Sequence, residues 1–418
     1  MSNYKLPEGY KQTKIGLIPE DWKVEKFQDI TEVITCGLAA TPKYVTEAKG
    51  KPFLSAQNVR DGKVVYENYK FVSKELFAQI TRHNKPSRGD ILYTRVGAGI
   101  GDAGVIENDF EFAIYVSLTL IKLKYDKADS YFISNLLNSE RYKFLAKNGL
   151  FAGAGVQNLN VEVVRNFAIP LPPLPEQRAI ARALSDADTL IAALDKLLAK
   201  KRHIKTATMQ QLLTGKKRLP GFGEGKGYKK TDIGLIPEDW DIVKIGKIAN
   251  IFVGKDVDEA HFSNGQDNKY KYPVYSNTVD NRGLYGYYDY AEFSGDSLTV
   301  VGRGVGLGTA FSRSGGFGAI GRLVVVFPAA KCDNRFLTDY INYKIDIFSE
   351  SSGIPQLTGI GLAKYKVALP VKEEQRAIAQ ILTDIDTEIA ALEKRRAKTQ
   401  AIKQGMMQEL LTGRTRLI

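Results

Sequence analysis

The sequence predicts an α+β fold with a pseudo-two-fold internal repeat, in which a mixed α/β domain and a long helix each occur twice. A phrase at residues 9–22 returns at residues 227–240 with only two changes. Two shorter phrases also occur twice, Glu-Gln-Arg-Ala-Ile-Ala at 176–181 and 374–379, and Leu-Leu-Thr-Gly at 212–215 and 410–413. The segments between the first and second phrases differ in sequence and in length. A repeated scaffold around two unlike segments can recognise an asymmetric, two-part target.

The bulk composition indicates a large, basic protein. The chain of 418 residues is long enough for two or three domains with full cores, and its net charge is +12. Such an excess of positive charge points to a polyanionic partner, most often nucleic acid. No apolar run is long enough to cross a membrane, and the N-terminus lacks an apolar signal core. We therefore expect a cytoplasmic protein without a membrane partner.

The cysteine and histidine content argues against a disulfide-stabilised protein and against a structural zinc protein. The chain has two cysteines, Cys36 and Cys332, which lie far apart in sequence, and three histidines. This pattern gives no disulfide framework and no spacing typical of a structural zinc site.

The two unlike segments have the composition of β-rich domains. Residues 62–66 and 114–121 are rich in β-branched and aromatic residues and are predicted as strands, and residues 130–145 are predicted as a helix. Each segment also contains a Gly-rich turn, at residues 89–101 and 295–308. These turns lack the rest of a dinucleotide fingerprint and the lysine of a P-loop. We expect them to let strands bend tightly, with a further strand after each turn.

Each Glu-Gln-Arg phrase opens a predicted long helix. Pro175 suits a first helical position, and Glu176 complements the positive end of the helix. Apolar residues then follow in steps of four and three, at Ile180, Leu184, Ala187, Ile191, Leu194 and Leu198 in the first copy and at Ile378, Leu382, Ile385, Ile389 and Leu392 in the second. Because this is the spacing of a coiled-coil seam, the two helices, each roughly 57 Å long, are predicted to pack against each other. The alternative is that each helix packs on its neighbouring domain.

The seam changes character in the second half of each helix. Its register there falls on the charged residues Lys201, Lys205, Arg396 and Lys403. The apolar residues Ile204 and Ile402 lie one position away from the register. The far ends are therefore expected to pack differently or to bind another molecule. Basic clusters at 196–205 and 394–403 are either solvated faces or contacts with a DNA backbone.

No arrangement of residues predicts a catalytic site. The sequence shows no paired acids, no Cys-His or Ser-His-Asp arrangement, and no Asn/Asp-Pro-Pro-aromatic signature of an adenine or cytosine methyltransferase. Side chains that suit base edges and phosphates are instead abundant in loops. The candidate DNA-binding residues are Gln57, Asn58, Arg60, Arg82, Lys85, Arg88 and Arg95 in the first segment and Tyr275, Asn277, Arg282 and Arg303 in the second. For each of them the alternative is a solvated loop residue.

In its repeated phrases the chain resembles the specificity subunits of type I restriction–modification systems. The residues that carry the resemblance are 18–22 with 236–240, 171–181 with 369–379, and 212–215 with 410–413. The resemblance covers essentially the whole chain. It implies two target recognition domains that each read one half of a bipartite, asymmetric DNA site, joined by two long antiparallel coiled-coil helices.

The resemblance also implies a domain organisation and a set of partners. The expected parts are target recognition domain 1 at 1–171, spacer helix 1 at 172–215, a Gly-rich linker at 216–226, target recognition domain 2 at 227–370 and spacer helix 2 at 371–418. The expected partners are double-stranded DNA, two methyltransferase subunits and restriction subunits. S-adenosylmethionine, ATP and Mg would belong to those partners, so this chain is expected to hold no cofactor and to be non-catalytic.

Three alternatives to this function remain open from the sequence. One is the recognition subunit of a related type II restriction enzyme with fused nuclease and methyltransferase partners. The second is an enzyme that holds a nucleotide in its Gly-rich turns. The third is a coiled-coil scaffold without a role in DNA binding, against which the basic charge argues.

Overall fold

The protein divides into two compact units whose boundary falls inside both long helices. Unit 1 comprises Met1–Leu194 and Arg395–Ile418, and unit 2 comprises Asp195–Lys394. Unit 1 is therefore built from both ends of the chain, whereas unit 2 is one continuous stretch. The computed structural model describes residues 6–148, 150–151 (backbone only), 158–345 and 356–417.

The first mixed domain is rich in short strands. Its strands are β1 (Tyr10–Thr13), β2 (Gly16–Pro19), β3 (Lys23–Lys26), β4 (Thr31–Cys36), β5 (Gly50–Leu54), β6 (Val59–Arg60), β7 (Lys63–Val64), β8 (Lys70–Ser73), β9 (Ile91–Thr94), β10 (Ala103–Val105), β11 (Ala113–Ile114), β12 (Leu118–Leu123), β13 (Leu150–Phe151), β14 (Asn158–Leu159) and β15 (Ala168–Leu171). Its helices are α1 (Lys74–Thr81), α2 (Ser130–Leu137), α3 (Glu140–Asn148) and α4 (Val161–Arg165), followed by the long α5 (Leu174–Leu212).

Two sheets organise the first domain. The larger has the strand order β4–β12–β9–β10–β7–β6, and its neighbours are antiparallel except for β10 and β7. The smaller has the order β11–β5–β8, with β11 parallel and β8 antiparallel to β5. A hairpin of β1 and β2 and an antiparallel pair of β3 and β15 bring the beginning of the domain to its end.

The second mixed domain follows the end of α5. Its strands are β16 (Tyr228–Thr231), β17 (Gly234–Pro237), β18 (Asp241–Lys244), β19 (Ala249–Val253), β20 (Phe262–Ser263), β21 (Tyr272–Tyr275), β22 (Leu284–Tyr288), β23 (Phe293–Ser294), β24 (Ser297–Val300), β25 (Ala310–Arg313), β26 (Gly316–Ala319), β27 (Val324–Pro328) and β28 (Lys366–Leu369). Its helices are α6 (Ile245–Ile248), α7 (Asn334–Lys344) and α8 (Gly359–Lys364), followed by the long α9 (Lys372–Leu410). Short 3-10 turns lie at Phe27–Ile30, Glu47–Lys49, Ala56–Asn58, Glu259–His261 and Asp280–Gly283.

The second domain repeats the plan of the first. A four-stranded antiparallel sheet has the order β19–β27–β24–β25, which matches β4–β12–β9–β10. A five-stranded sheet has the order β20–β22–β21–β26–β23, and its parallel pair β21–β26 matches β5–β11. The hairpin of β16 and β17 and the pair of β18 and β28 match the first domain in the same way. The repeat therefore extends through the segments whose sequences differ.

The long helices α5 and α9 each contain 39 residues, as the seam predicted. In unit 1 the buried Ile180 and Leu184 of α5 share a hydrophobic core with Leu410 at the end of α9. In unit 2 the end of α5, at Leu212, shares a core with Leu382 near the start of α9. The beginning of one helix thus packs with the end of the other in each unit, which is the antiparallel arrangement.

The charged positions of the seam form ion pairs between the helices. In unit 2, Lys201 pairs with Glu388, and the Lys205 Nζ lies 2.6 Å from an Asp386 oxygen. The higher-numbered residue of α5 pairs with the lower-numbered residue of α9, again as antiparallel helices require. The seam is therefore polar here without leaving these lysines unpaired.

Unit 1 contains the counterpart of this polar seam. The Lys403 Nζ lies 2.6 Å from an Asp188 oxygen. Ile204 and Ile402, the apolar residues one position away from the register, are 40% and 51% exposed. The apolar side chains are therefore turned to solvent where the polar ones bridge the helices.

Three local predictions differ from the structure. The helix predicted at 130–145 is wrong as a single element, because α2 and α3 are separate helices. Between them the Asn138 amide accepts a bond from the Ala103 N–H (3.1 Å) and donates one to the Ala103 carbonyl (2.9 Å). The strand predicted at 114–121 is likewise two strands, β11 and β12, and within 62–66 only β7 is a strand. The predicted strands after the Gly-rich turns are confirmed as β10 and β25.

Candidate nucleic-acid interface

In unit 1 the three repeated phrases meet at one buried carboxylate. Glu176 is 4% exposed and accepts a hydrogen bond from the Trp22 indole N–H (3.1 Å). It also accepts bonds from the Arg416 Nε (2.6 Å) and Nη2 (2.8 Å). The same guanidinium binds both oxygens of Asp21 at 3.0 and 2.8 Å. Residues of the first and second phrases, and one residue just after the third, are thus joined by hydrogen bonds in unit 1.

Unit 2 repeats this cluster contact for contact. Glu374 is 1% exposed and accepts a bond from the Trp240 indole N–H at 3.2 Å. It accepts bonds from Arg218 at 2.7 and 2.8 Å, and Arg218 binds Asp239 at 2.8 and 3.0 Å. We refer to the two four-residue clusters as the closing contacts.

The closing contacts shift the pKa values of their members. The hydrogen bonds from Arg416 hold the pKa of Asp21 below its ordinary value, and those from Arg218 do the same for Asp239. Bonds to Glu176 and Asp21 raise the pKa of Arg416. Burial opposes the charge of Arg218, but its bonds to Asp239 and Glu374 outweigh that effect and raise its pKa. These shifts favour the charged forms of Asp21, Asp239 and the two arginines.

The glutamine of each Glu-Gln-Arg phrase positions the domain on its helix. Gln177 is fully buried, and its Oε1 accepts a bond from the Asp129 N–H (2.9 Å) while its Nε2 donates to two loop carbonyls. Asp129 in turn caps α2. Gln375 makes the same bonds, with Asp333 at 2.7 Å, and Asp333 caps α7.

The glycine after each long helix is required by a close approach. Gly413 and Gly215 adopt positive φ angles of 73° and 67°. A Cβ there would lie 2.5 Å from Pro19 and Pro237 respectively, so any side chain would collide with the proline ring. The Tyr10 hydroxyl donates a bond to the Gly413 carbonyl at 3.0 Å, which ties the hairpin to the helix end.

Arg218 and Arg416 are functional residues of the scaffold that the sequence prediction missed. Each lies three positions after the glycine of a Leu-Leu-Thr-Gly phrase, in the repeated pattern Leu-Leu-Thr-Gly-x-x-Arg-Leu. Extending the phrase by four residues would have revealed them. Their partners Glu176 and Glu374 are visible in the sequence only as helix-start acids.

The first candidate loop presents two of its three predicted side chains. Gln57 and Arg60 are exposed, and the Gln57 Nε2 donates to the Asn68 carbonyl at 2.7 Å. Asn58 is fully buried: its Oδ1 accepts a bond from the Ser55 N–H, and its Nδ2 donates to two backbone carbonyls at 3.0 and 2.8 Å. In this structure Asn58 shapes the turn that carries Gln57 and Arg60, because its amide is occupied.

The basic loop of unit 1 has two cations without an ion-pair partner among the described residues. Arg82 and Arg88 are exposed. Lys85 is exposed but pairs with Glu111, which also binds the Lys51 Nζ at 2.8 Å. The hydrogen bonds from Lys51 and Lys85 lower the pKa of Glu111 to about 2. Arg82 and Arg88 are therefore the better placed of the three for phosphate contacts.

Arg95 lies in a different environment from the other candidates of unit 1. It is 9% exposed, and its Nε donates to the Leu159 carbonyl at 3.0 Å and its Nη1 to the Val116 carbonyl at 3.4 Å. These bonds join β9 to β14 and to the loop before β12. The structure thus gives Arg95 a place between strands and not on an exposed loop.

In unit 2 the structure brings Asn277 and Arg303 together beside Gly321. The Asn277 Oδ1 accepts a bond from the Gly302 N–H at 2.7 Å, and its Nδ2 donates to the Gly321 carbonyl. The Arg303 Nη2 and the Asn277 Nδ2 both lie 3.7 Å from the point where a Gly321 side chain would begin. Arg303 is exposed, so the anchored Asn277 supports the turn that presents it.

Tyr275 and Arg282 lie beside a residue that the sequence prediction missed. The Arg313 guanidinium stacks on the Tyr275 ring, 3.5 Å from its centroid, and its Nη2 donates to the Arg282 carbonyl at 2.6 Å. Arg282 itself is exposed and lies 5.7 Å from the Phe311 ring. Arg313 ends an ordinary strand, so nothing in its sequence context marked it.

The described residues contain no group of three or more His, Cys, Asp or Glu side chains that could hold a metal ion. Within the same part of the chain, no helix is long and apolar enough to cross a membrane. In the closing contacts the carboxylate oxygens of Glu176 and Glu374 already accept hydrogen bonds from tryptophan and arginine, so they are not free to bind a metal ion.

The fold is thus a duplicated one, with two unlike mixed domains closed in the same way on a pair of long helices. The sequence profile described as "Type I restriction modification DNA specificity domain" matches residues 19–201 and 237–404. The chain belongs to this family, the type I restriction–modification specificity subunits. The predicted family and the predicted duplicated α+β architecture are thereby confirmed.

Relatives and solved structures agree with this membership along the whole chain. A Methanocaldococcus jannaschii protein, provisionally named as the specificity subunit of the type I restriction enzyme MjaX, is 31% identical over 98% of this chain and 97% of its own length. The MjaVIII specificity subunit of that organism is 28% identical over 100% and 98% of the two chains. The crystal structure of a type I system S subunit from M. genitalium has a TM-score of 0.61 at 16% identity and covers 97% of both chains.

Proposed function

We propose that this chain reads a bipartite, asymmetric DNA site and directs methyltransferase and restriction subunits to it, without catalysis of its own. The observation that carries the proposal is the pair of closing contacts, which hold two domains of one plan and different sequence. Two unlike domains on one repeated scaffold suit a target with two unlike half-sites.

The exposed polar loops supply the two kinds of contact that such reading needs. Gln57 and Arg60 carry the donors and acceptors that suit base edges in the major groove. Arg82 and Arg88 have no ion-pair partner in the part of the chain that the structure describes, and such cations suit phosphates, which position a protein without specifying sequence. The net charge of +12 supports a polyanionic partner as a whole.

Two equivalent apolar positions support a pair of identical protein partners. Ile204 on α5 and Ile402 on α9 occupy matching places in the repeat, and both are exposed. Single exposed aliphatic side chains are common on protein surfaces, so the support comes from the matching places of the two isoleucines in the repeat. We assign these positions to the two methyltransferase subunits, which would bring S-adenosylmethionine, while restriction subunits would bring ATP and Mg.

Methylation of DNA by the reconstituted complex tests the proposed function. The purified chain with S-adenosylmethionine alone should transfer no methyl group. Together with the methyltransferase subunits of its host it should methylate adenines in one bipartite motif, detected by methylation-sensitive long-read sequencing. Methyl transfer by the chain alone, or methylation without a shared motif, would refute the proposal.

Assembly with the methyltransferase tests the assignment of Ile204 and Ile402. The Ile204→Glu and Ile402→Glu variants should each lose one of two methyltransferase subunits, measured as complex mass in solution, because a buried carboxylate opposes helix packing. Thr206→Glu on the same helix is the control, since Thr206 is exposed and bonds only its own helix. Unchanged complexes in both isoleucine variants would place the partners elsewhere.

Affinity for DNA at several salt concentrations separates the two kinds of contact. Arg82→Gln and Arg88→Gln should weaken binding to all duplexes alike and flatten the salt dependence. Gln57→Ala and Arg60→Ala should relax the sequence preference, by about 1–3 kcal/mol for a lost bidentate base contact. A uniform loss in the second pair would move Gln57 and Arg60 to the phosphate-contacting class.

A further inference from the structure

Arg313 is a buried cation without a carboxylate partner. It is 6% exposed, yet none of the ion pairs formed by the described residues includes it. Its bonds go to neutral acceptors, from Nε to the Thr299 hydroxyl at 3.0 Å and from Nη2 to the Arg282 carbonyl. Burial lowers the pKa of Arg313 to about 10. A buried charge in a protein is normally paired, so this guanidinium lacks its counter-charge.

A second cation converges on the same place. The Arg313 and Arg282 guanidinium groups lie 5.2 and 5.7 Å from the centroid of the Phe311 ring. Arg282 is exposed, and its Nη2 donates only to the Ser312 carbonyl, at 3.2 Å. The nearby positive charge of Arg282 is one of the causes that lower the pKa of Arg313. The two like charges thus lie near each other, and neither forms an ion pair with a carboxylate among the described residues.

The loop that holds Arg282 adopts an unfavourable backbone. Asn281 and Arg282 both have positive φ angles, of 45° and 53°, and Gly283 follows at 87°. Consecutive left-handed residues other than glycine cost free energy and persist where the surroundings enforce them. Here the bond from Arg313 to the Arg282 carbonyl is part of that enforcement. The strained turn and the buried arginine form one structure.

We propose that Arg282 and Arg313 form an anion site in the second target recognition domain that holds one phosphate of the DNA backbone. The site rests on the proposed function, because DNA is its ligand. The Nε and Nη2 of Arg313 are already bonded, so its Nη1 is the atom assigned to the phosphate, and the exposed Arg282 would contact the same phosphate from solvent. A guanidinium fork matches phosphate oxygens, and the desolvated, prepositioned cation strengthens that contact.

Salt dependence of duplex binding tests the site. The full chain, alone and with its host's methyltransferase subunits, is titrated with duplex DNA at several salt concentrations. Arg282→Gln and Arg313→Met should each bind about tenfold or more weakly at low salt. Each should reduce the slope of log K against log salt by about 0.9, the value for one lost phosphate. The double variant should lose the same slope as either single variant, because both cations hold one phosphate.

Lys364→Gln is the matched control. Lys364 is exposed in the same unit, and its replacement by Gln removes one positive charge, as Arg282→Gln does. Lys364 lies on α8, which packs on β19. Strand β19 is at the opposite edge of the sheet from β25, the strand that ends at Arg313. Its slope should stay unchanged. If Arg313→Met fails to fold, Arg282→Gln carries the test, because Arg282 lies at the surface.

Each other outcome overturns a defined part of the argument. An unchanged slope in Arg282→Gln, or in folded Arg313→Met, would overturn the phosphate site and leave DNA binding intact. A reduction of the slope in the double variant that is about twice the reduction in either single variant would show two separate phosphate contacts and overturn the shared site. Failure of the unmodified chain to bind duplex DNA, both alone and in the complex, would overturn the site and the proposed function together.

Discussion

Units 1 and 2 agree in their scaffold and differ at the edges of their sheets. The closing contacts have nearly equal lengths, with 3.1 Å from Trp22 to Glu176 and 3.2 Å from Trp240 to Glu374. The order β4–β12–β9–β10 matches β19–β27–β24–β25. Divergence of sequence between the domains has therefore left the connectivity of the central strands unchanged.

The differences are additions to that common plan. Unit 1 extends its larger sheet with β7 and β6, and β6 ends at the exposed Arg60. Unit 2 adds β20 and β23 to the edges of its other sheet instead. Edge strands tolerate addition because they present unpaired backbone groups. The two domains therefore differ by additions at the sheet edges, while the order of the central strands is kept.

The largest expected effect is an exchange of specificity. Replacing residues 23–170 with the equivalent segment of a relative should change one half of the DNA motif and leave the other half unchanged. The exchanged segment lies between the repeated phrases of unit 1, so the closing contacts of both units are retained. Sequencing of methylated DNA provides the measurement, and a simultaneous change of both halves would contradict the two-domain comparison.

Loss of a closing carboxylate should be the largest effect on stability. Glu374→Ala should lower the free energy of unfolding of unit 2 by about 3–5 kcal/mol, since it leaves Arg218 and the Trp240 N–H partly unpaired. Glu176→Ala should cost unit 1 somewhat less, because the side chain of Arg416 is 24% exposed against 12% for Arg218.

Tryptophan fluorescence can follow each unit separately during this comparison. The chain has two tryptophans, one in each unit. Urea unfolding of Glu374→Ala in a Trp22→Phe background reports unit 2, and Glu176→Ala in a Trp240→Phe background reports unit 1. Equal or reversed losses in the two units would show that exposure of the arginine does not set the difference.

Truncation of the coiled-coil seam should have the next effect. Leu184→Ala and Leu382→Ala each empty a fully buried site at equivalent positions and should cost about 2–5 kcal/mol of unfolding free energy. Exposed Leu190→Ala on the same helix is the control and should change stability by less than about 0.5 kcal/mol. A small loss at both buried positions would mean that the seam contributes little to either unit.

Acid should weaken both units in the same pH range. The pKa values of Asp21 and Asp239 are lower in the folded than in the unfolded chain, so their stabilisation is present above the ordinary carboxyl pKa of 3.8 and is lost as the pH falls through the folded values. The effect is modest because the Asp21 side chain is 51% exposed. Unfolding temperatures measured from pH 6 down to pH 3 should fall less in Asp21→Asn and Asp239→Asn than in the unmodified chain.

The smallest expected effect is the loss of stability when an ion pair is removed from the polar seam of either unit. Lys403→Met and Lys205→Met each remove one partly exposed ion pair and should cost about 0.2–1 kcal/mol. Lys205→Met should cost less, because Asp386 keeps a second partner in Arg335. Thermal unfolding provides the comparison, and a larger loss for Lys205→Met would show that Arg335 does not compensate.

The duplicated scaffold was predictable from the sequence because its signals are local and periodic. Each of these signals can be recognised within a short stretch of sequence. They are the phrase around Trp22, the seam through Leu184 and the glycines after the helices. The break at Asn138 was not predictable, because it depends on a bond to Ala103 across the domain. Tertiary contacts of this kind override helical propensity.

The candidate site was predictable in kind and less so residue by residue. Residue type identified Arg60 and Arg282 as exposed donors, and the structure places both at the surface. Residue type alone could not show that the Asn58 amide is consumed within its own turn. Residue type also could not show that Arg313, at the end of β25, donates a hydrogen bond to the Arg282 carbonyl. Burial and partners decide these roles, and neither is written in the local sequence.

The division of unit 1 between the two ends of the chain has a consequence for biosynthesis. Arg416 and Asp21 are 395 positions apart, whereas Arg218 and Glu374 are 156 apart. A ribosome delivers the N-terminal domain first, yet that domain lacks its closing arginine until Arg416 emerges. The second domain contains all its parts earlier, so maturation should run from the later-made half to the earlier-made one. Until then the core of unit 1 lacks Leu410 and Leu411, so the apolar side chains that they cover, such as Ile180, stay more exposed in the nascent chain.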